Sequence, residues 1–234
     1  MPSGRHESAD FDGPALGNGA LATRAIEILR DAIQGRFAGR VALVSSFGAE
    51  SAALLHMVAQ IDRETPIIFL DTGRHFPETE DYRKALCARL ALTGVIVAKP
   101  DARRLADEDR DLTLFARSPD RCCHIRKVLP LAPALDRFDA WITGRKAYQN
   151  PDRANLPVYE SVGGRVKINP LVDWAARDVL AYIDASRLPP HPLVARGFSS
   201  IGCAPCTSSV GALESPRSGR WRGTGKTECG IHAR

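Results

Sequence analysis

The chain has 234 residues, 44% of them apolar and 25% charged, which is enough for one packed domain with a single core. No apolar run approaches the roughly 18 residues that span a bilayer, and residues 1–20 lack the apolar core of a signal peptide. This predicts a cytoplasmic protein with a disordered leader over residues 1–20. A net charge of +5 favours anionic partners but is too small to specify nucleic acid, and six cysteines without an export signal point to metal ligation or thiol catalysis rather than a disulfide framework.

Between Leu21 and Phe37 the residues Ala22, Ile26, Leu29 and Ile33 recur at helical spacing; Val41–Val44 follows as a short apolar strand ending in Ser45-Ser46-Phe47-Gly48. Ala52 to Gln60 returns to a helical pattern. Pro66–Leu70 is a second buried-type strand, ending at Asp71-Thr72-Gly73, and a helix over Glu78–Leu90 leads to a strand over Val95–Val97. Trp141–Thr143 supplies another strand before Gly144. Pro157–Tyr159 and Val166–Ile168 flank Gly163-Gly164 as a hairpin, and Asp173 is placed to cap a helix running to Ser186. Continuous apolar strands alternating with helices predict an α/β fold whose parallel sheet is covered on both faces, with a ligand crevice beyond the strand C-termini. Beyond Gly211 the apolar periodicity gives way to Arg217, Arg220, Arg222 and Lys226 set among glycines, which predicts a mobile tail over residues 214–234.

The loop at Ser45, Ser46, Phe47, Gly48 and Glu50 offers amides, hydroxyls and a helix N-terminus to an oxyanion. It is not a Walker A loop, and a plain strand-to-helix turn is the alternative. Asp71 and Thr72 end the next strand, while Arg145, Lys146 and Arg153 follow the strand at Thr143 and border the same crevice edge. Cys203 and Cys206 form a Cys-x-x-Cys element, far downstream of the adjacent pair Cys122-Cys123. Neighbouring sulfurs point awkwardly for one small ion and suit a four-iron cube better; zinc and a thioredoxin-like dithiol stay open on spacing alone. Lys127 lies one helical turn after Cys123. Cys229 sits in the tail near Lys226, His232 and several arginines, which favour its thiolate, and beside Glu228, which acts the other way; an incidental thiol is the alternative. Cys87 is read as buried packing.

Together, Ser45–Glu50, Leu70–Gly73, Arg121-Cys122-Cys123-His124 with Lys127, Ile142–Gly144, Ser200–Cys206, Gly219-Arg220-Trp221 and Glu228–His232 resemble the assimilatory adenylyl-sulfate (APS) reductases, over nearly everything from Val41 to His232. The resemblance implies the adenine-nucleotide alpha-hydrolase-like (PP-loop) three-layer fold, with a mostly parallel sheet and a flexible C-terminal tail. It implies a [4Fe-4S] cluster on Cys122, Cys123, Cys203 and Cys206, and Cys229 as nucleophile, with His232 beside it. The implied reaction is thioredoxin-dependent reduction of APS to sulfite and AMP through an S-sulfocysteine, as a step toward cysteine. Lys127, Arg217 and Arg220 would neutralise the sulfate and phosphate oxygens, and Arg145 and Arg153 would serve the nucleotide or its lid. The four cluster cysteines favour APS over 3'-phosphoadenylyl sulfate (PAPS), which some cluster-bearing members also accept. An iron-sulfur sensor binding nucleic acid through the basic tail is the non-catalytic alternative, and a homo-oligomer is left open.

Overall fold

The computed structural model describes residues 19–211 and 213–232; the leader expected over residues 1–20 lies almost wholly outside these. Helix α1 (Gly19–Arg30) runs into a wide turn over Asp31–Arg36, where Gly35 leaves helical geometry, so the helix expected to reach Phe37 ends earlier. The chain then alternates β1 (Val41–Val44), α2 (Ser51–Ile61), β2 (Ile67–Leu70), α3 (Pro77–Leu90) and β3 (Val95–Ala98). Short helices α4 (Ala102–Glu108) and α5 (Leu114–Arg117) lead into α6 (Pro119–Cys123), which widens through His124–Val128 and continues as α7 (Leu129–Ala134). Pro130 and Pro133 contribute no N–H, so the carbonyls one turn before them lose their α-helical donors, and a widened turn here is locally reasonable. Strand β4 (Ala140–Ile142), the hairpin of β5 (Tyr159–Val162) with β6 (Arg165–Ile168), and helix α8 (Ala176–Ala185) complete the set.

The six strands lie in the order β3-β2-β1-β4-β6-β5, all parallel except the edge strand β5. Side chains alternate across the sheet as the pleat requires. Val41, Leu43, Ile67, Phe69 and Ile142 face one core with α1, α2 and α8. Ala42, Ile68, Leu70 and Trp141 face the other, closed by Leu131, Leu135 and Phe138. These central strands are buried on both sides, which is why they read as continuous apolar runs.

One expected cap is corrected. Asp173 does not start α8; it pairs with Arg24. The helix begins three residues later, where the Asp178 carboxylate accepts the Ala175 N–H at 2.8 Å, because a separate turn from Leu171 to buried Trp174 comes first.

Candidate functional site

The chain builds β2 and β3 on one side of β1, then crosses to build β4 and β6 on the other. The C-terminal ends of β1 and β4 therefore part at a topological switch point, where open α/β sheets bind ligands. A cavity opens there, lined by Ser45, Ser46, Gly48 and Glu50 after β1 and by Thr143, Gly144, Arg145 and Lys146 after β4. Phe47 is the exception in its loop. Its ring is fully buried edge-on against Phe69 at 5.6 Å, outside the cavity lining. Its backbone has a left-handed φ of 49°, and its amide donates to Ser45 Oγ at 3.2 Å. A bulky residue rarely holds that conformation, so burial of the ring is what fixes the loop's path.

Glu50 reaches the crevice but its carboxylate is already engaged, accepting from Lys146 Nζ at 2.8 Å, from Gln149 Nε2 at 3.0 Å and from the Tyr148 hydroxyl. Lys146 and these hydrogen bonds hold the carboxyl below its usual range although burial pushes the other way. Glu50 thus braces the loop after β4. Arg145 is buried between Glu160, Thr143 and Asn169 and presents part of its surface to the cavity.

Asp71 and Thr72, expected at the ligand, stand outside the cavity lining. Asp71 accepts the Gly73 amide at 3.0 Å and lies 3.6 Å from Lys99. The Thr72 hydroxyl is 3.3 Å from Cys203 Sγ, and its carbonyl accepts from buried Arg126 at 2.7 Å. This strand end serves the sulfurs rather than the crevice.

Cys122, Cys123 and Cys203 are buried and Cys206 half-buried. The thiol of Cys122 is pushed up by burial, opposed by Arg126 and reinforced by Cys203 and Cys206, so these three sulfurs share one neighbourhood. Among the described residues no three cysteine sulfurs lie within 4.8 Å of one another, a closeness reached only by ligand atoms of Asp71, His75 and Glu80. Tetrahedral zinc, with sulfur at ~2.3 Å, would draw its ligands to roughly 4 Å from each other. The wider spacing and the all-sulfur donor set fit a multi-iron cluster better.

The tail from Ser215 is folded over the crevice. Thr207 pairs with Arg220 as an antiparallel bridge, and the Trp221 amide donates to the Cys206 carbonyl at 3.0 Å. Arg217, Arg220 and Lys226 lie over the Trp221 ring at 5.8, 4.5 and 5.5 Å. Arg217, Arg220, Cys229 and His232 all enter the cavity lining, opposite Lys127 and Arg153. Cys123 as hydrogen-bond donor, then Lys127, the Ile231 amide and Arg220, hold the Cys229 thiol well below its ordinary value despite burial. Lys127, which burial alone would lower, is held protonated by Cys203, Cys229 and Cys123. His232 stacks on Trp141 at 6.0 Å with its Nδ1 buried and without a hydrogen-bond partner among the described residues; burial and the cations Arg153, Arg145, Lys167 and Arg217 keep it neutral.

The structure thus brings Ser45, Ser46, Gly48, Glu50, Lys127, Arg145, Arg153, Arg217, Arg220, Cys229 and His232 to one cavity, while Cys122, Cys123, Cys203 and Cys206 stay outside its lining. Sequence reasoning missed the bracing role of Lys146 and the contact of Glu228 with Arg153, a bidentate pair at 2.5 and 2.8 Å. Nothing local signals a pair so distant in sequence.

A crevice lined by Lys127, Arg145, Arg153, Arg217 and Arg220 at the switch point of a mostly parallel α/β sheet, with a cysteine-bearing tail folded over it, is the architecture of a PP-loop-like nucleotide-binding fold. Residues 40–209 match the phosphoadenosine phosphosulfate reductase domain, and the chain belongs to that family. It is 52% identical over 207 residues to adenosine 5'-phosphosulfate reductase of Mesorhizobium japonicum, covering 88% of this chain and 82% of that one. It is 42% identical over 215 residues to phosphoadenosine 5'-phosphosulfate reductase of Gloeobacter violaceus, covering 88% and 87%. Among solved structures it resembles a PAPS reductase from Candida auris, with a TM-score of 0.68 and 28% identity over 82% of this chain and 95% of the other. The fold alone is shared with Candida glabrata FMN adenylyltransferase, at a TM-score of 0.57 and 15% identity over 79% and 60%.

Proposed function

We propose that the protein reduces adenylyl sulfate to sulfite and AMP, with Cys229 as the nucleophile and a thioredoxin-like dithiol as reductant. The observation that carries this reading is the seating of Cys229 in the switch-point crevice, facing Lys127 and Arg220. The Cys229 thiolate attacks the sulfate sulfur, the sulfur–oxygen bond to the phosphate breaks, and AMP departs with the bonding pair. A dithiol thiolate then attacks the Cys229 sulfur and expels sulfite, and its second thiol resolves the mixed disulfide, returning the Cys229 thiolate. The dithiol is oxidised and the sulfate sulfur reduced by two electrons.

Because two anions must meet, the cations carry much of the work. Lys127, Arg217 and Arg220 would bear on the sulfate and phosphate oxygens, while Ser45, Ser46, Gly48 and the first turn of α2 offer donors to the nucleotide. Burial with neighbouring Arg153 and Arg220 pushes Arg217 down to about 10, the mark of a site crowded with positive charge until an anion arrives. Neutral His232, stacked on Trp141, holds the end of the tail against the core beside Ile231.

Cys122, Cys123, Cys203 and Cys206 would hold a [4Fe-4S] cluster, which when bound adds a local electrostatic field near Lys127 rather than a required electron path. Cys123, as a cluster ligand, would no longer donate to Cys229; Lys127, the Ile231 amide and Arg220 would then sustain the thiolate. Likeness to the phosphoadenosine 5'-phosphosulfate reductase of Gloeobacter violaceus supports PAPS as the alternative substrate, and kcat/KM for the two nucleotides decides between them.

The decisive experiment is anaerobic incubation with APS and mass spectrometry of the C-terminal peptide. A sulfonate on Cys229, absent in Cys229→Ser, is the expected result. An unmodified tail in active, cluster-loaded protein would overturn the reading.

A further inference from the structure

The reaction above leaves one buried charge of the tail unused. Glu228 precedes the nucleophile, and its carboxylate is gripped from outside the tail: Arg153 donates to it from Nε at 2.5 Å and Nη2 at 2.8 Å, and Asn150 Nδ2 donates at 3.3 Å. Arg217 stands 3.7 Å away. The same carboxylate accepts the amide of Cys229 at 2.8 Å. Arg153 and Glu228 side chains are 6% and 15% exposed, so the pair is largely desolvated.

This geometry does more than attract. A guanidinium fork fixes the orientation of a carboxylate as well as its distance. Because that carboxylate also holds the next amide, the orientation passes directly to Cys229. Upstream of Glu228 the ties of this segment to the scaffold are single bonds at the surface, from Thr227 Oγ1 to Asp152 at 2.9 Å and from Asn150 to the Thr227 carbonyl at 3.4 Å, together with the exposed-acid pair of Lys226 and Asp120; downstream, Ile231 and the His232 stack on Trp141 hold the tail end against the core.

We infer that Glu228 is the positioning residue of the tail: it seats the segment on Arg153 so that the Cys229 sulfur faces Lys127, and release of this pair opens the tail to the second thiol. The inference rests on the reading of Cys229 as nucleophile, but its first test does not.

Glu228→Gln keeps the shape and removes the charge. In cluster-loaded full-length protein without nucleotide, hydrogen–deuterium exchange of the peptide spanning residues 227–232 should rise roughly tenfold in the variant, with peptides from β1 and β2 unchanged. In single turnover with APS, sulfonation of Cys229 should slow roughly 10- to 100-fold. Sulfite release by dithiothreitol from the preformed adduct should not slow, and Glu228→Asp should recover part of the first rate. A residue that merely stabilised the fold would slow neither step selectively. Wild-type exchange over residues 227–232 in Glu228→Gln, or sulfonation at the wild-type rate with a loosened tail, would overturn the inference. If wild-type protein formed no adduct at all, the nucleophile reading would fail while the exchange result still judged the latch.

Discussion

Lys127 sits in the widened turn after α6, where its ammonium meets the sulfurs of Cys123, Cys203 and Cys229 and still lines the crevice. A flexible lysine is ordinarily a poor positioning device, since it loses much rotamer freedom when fixed. Here the Cys229 thiolate and the neighbouring sulfurs of Cys203 and Cys123 supply the restraint. If its charge meets the negative charge that develops between Cys229 and the sulfate, Lys127→Ala should slow the first step about 100-fold, the usual cost of one lost donor in a water-poor site. Single-turnover sulfonation checks this in variants that retain their iron. An unchanged rate would leave Lys127 as a cluster neighbour without a part in the chemistry. Cys229 illustrates the same point from the other side: its context of basic residues was legible in the sequence, but the tail contact with Cys123 was not.

At the level of elements, the tail depends on close backbone approach. A Cβ on Gly219 would lie 2.1 Å from the Ser208 carbonyl oxygen, and the two strands cannot part to admit it without losing the bond from the Ser208 N–H to the Gly219 carbonyl at 2.9 Å. Gly219→Ala should therefore lift the tail off the Thr207–Arg220 bridge and slow Cys229 sulfonation, while the core, which this bridge does not enter, keeps its urea midpoint. Loss of rate together with a large fall in the midpoint would mean the tail is part of the folding unit. The strands and the loops at their ends were readable because doubly buried parallel strands are continuous apolar runs, as in Ile67–Leu70. The tail was not, for its docking uses cation–π contacts on Trp221, single backbone bonds and the Arg153–Glu228 pair, none of which leaves a periodic trace. Asp71 and Thr72 were expected at the ligand, and nothing in the sequence signalled that they would stand outside the cavity with the Thr72 hydroxyl turned to Cys203. The Asp173 cap failed because a turn at Trp174 intervenes, a tertiary choice that capping preference does not see.

Across the whole molecule, positive charge is concentrated in one place at a cost to the empty fold. Arg145, Arg153, Arg217 and Lys167 crowd around His232 and the base of the tail. Lys167 is buried with its ammonium 4.6 Å from the Trp141 ring centre, and burial, then Arg145 and Arg153, push it down to about 8 against the pull of Glu228. An unfolded lysine keeps its proton to about 10.4. Below pH 8 both states hold the proton and the folded protein bears the unfavourable buried charge; between about pH 8 and 10.4 the folded state releases it first, the unfolded state binds more protons, and stability from this group rises with pH. Lys167→Met removes the effect while keeping the apolar contact with Trp141. The variant should accordingly be more stable than wild type at pH 7, by an amount that shrinks as urea midpoints are followed from pH 8 to pH 10. A constant difference over that range would mean Lys167 is solvated and ordinary. AMP should narrow part of the gap at pH 7 as well, because an anion in the crevice offsets the repulsion from Arg145 and Arg153, though not the burial. Stability surrendered by the empty protein would then reappear as affinity for a negatively charged nucleotide.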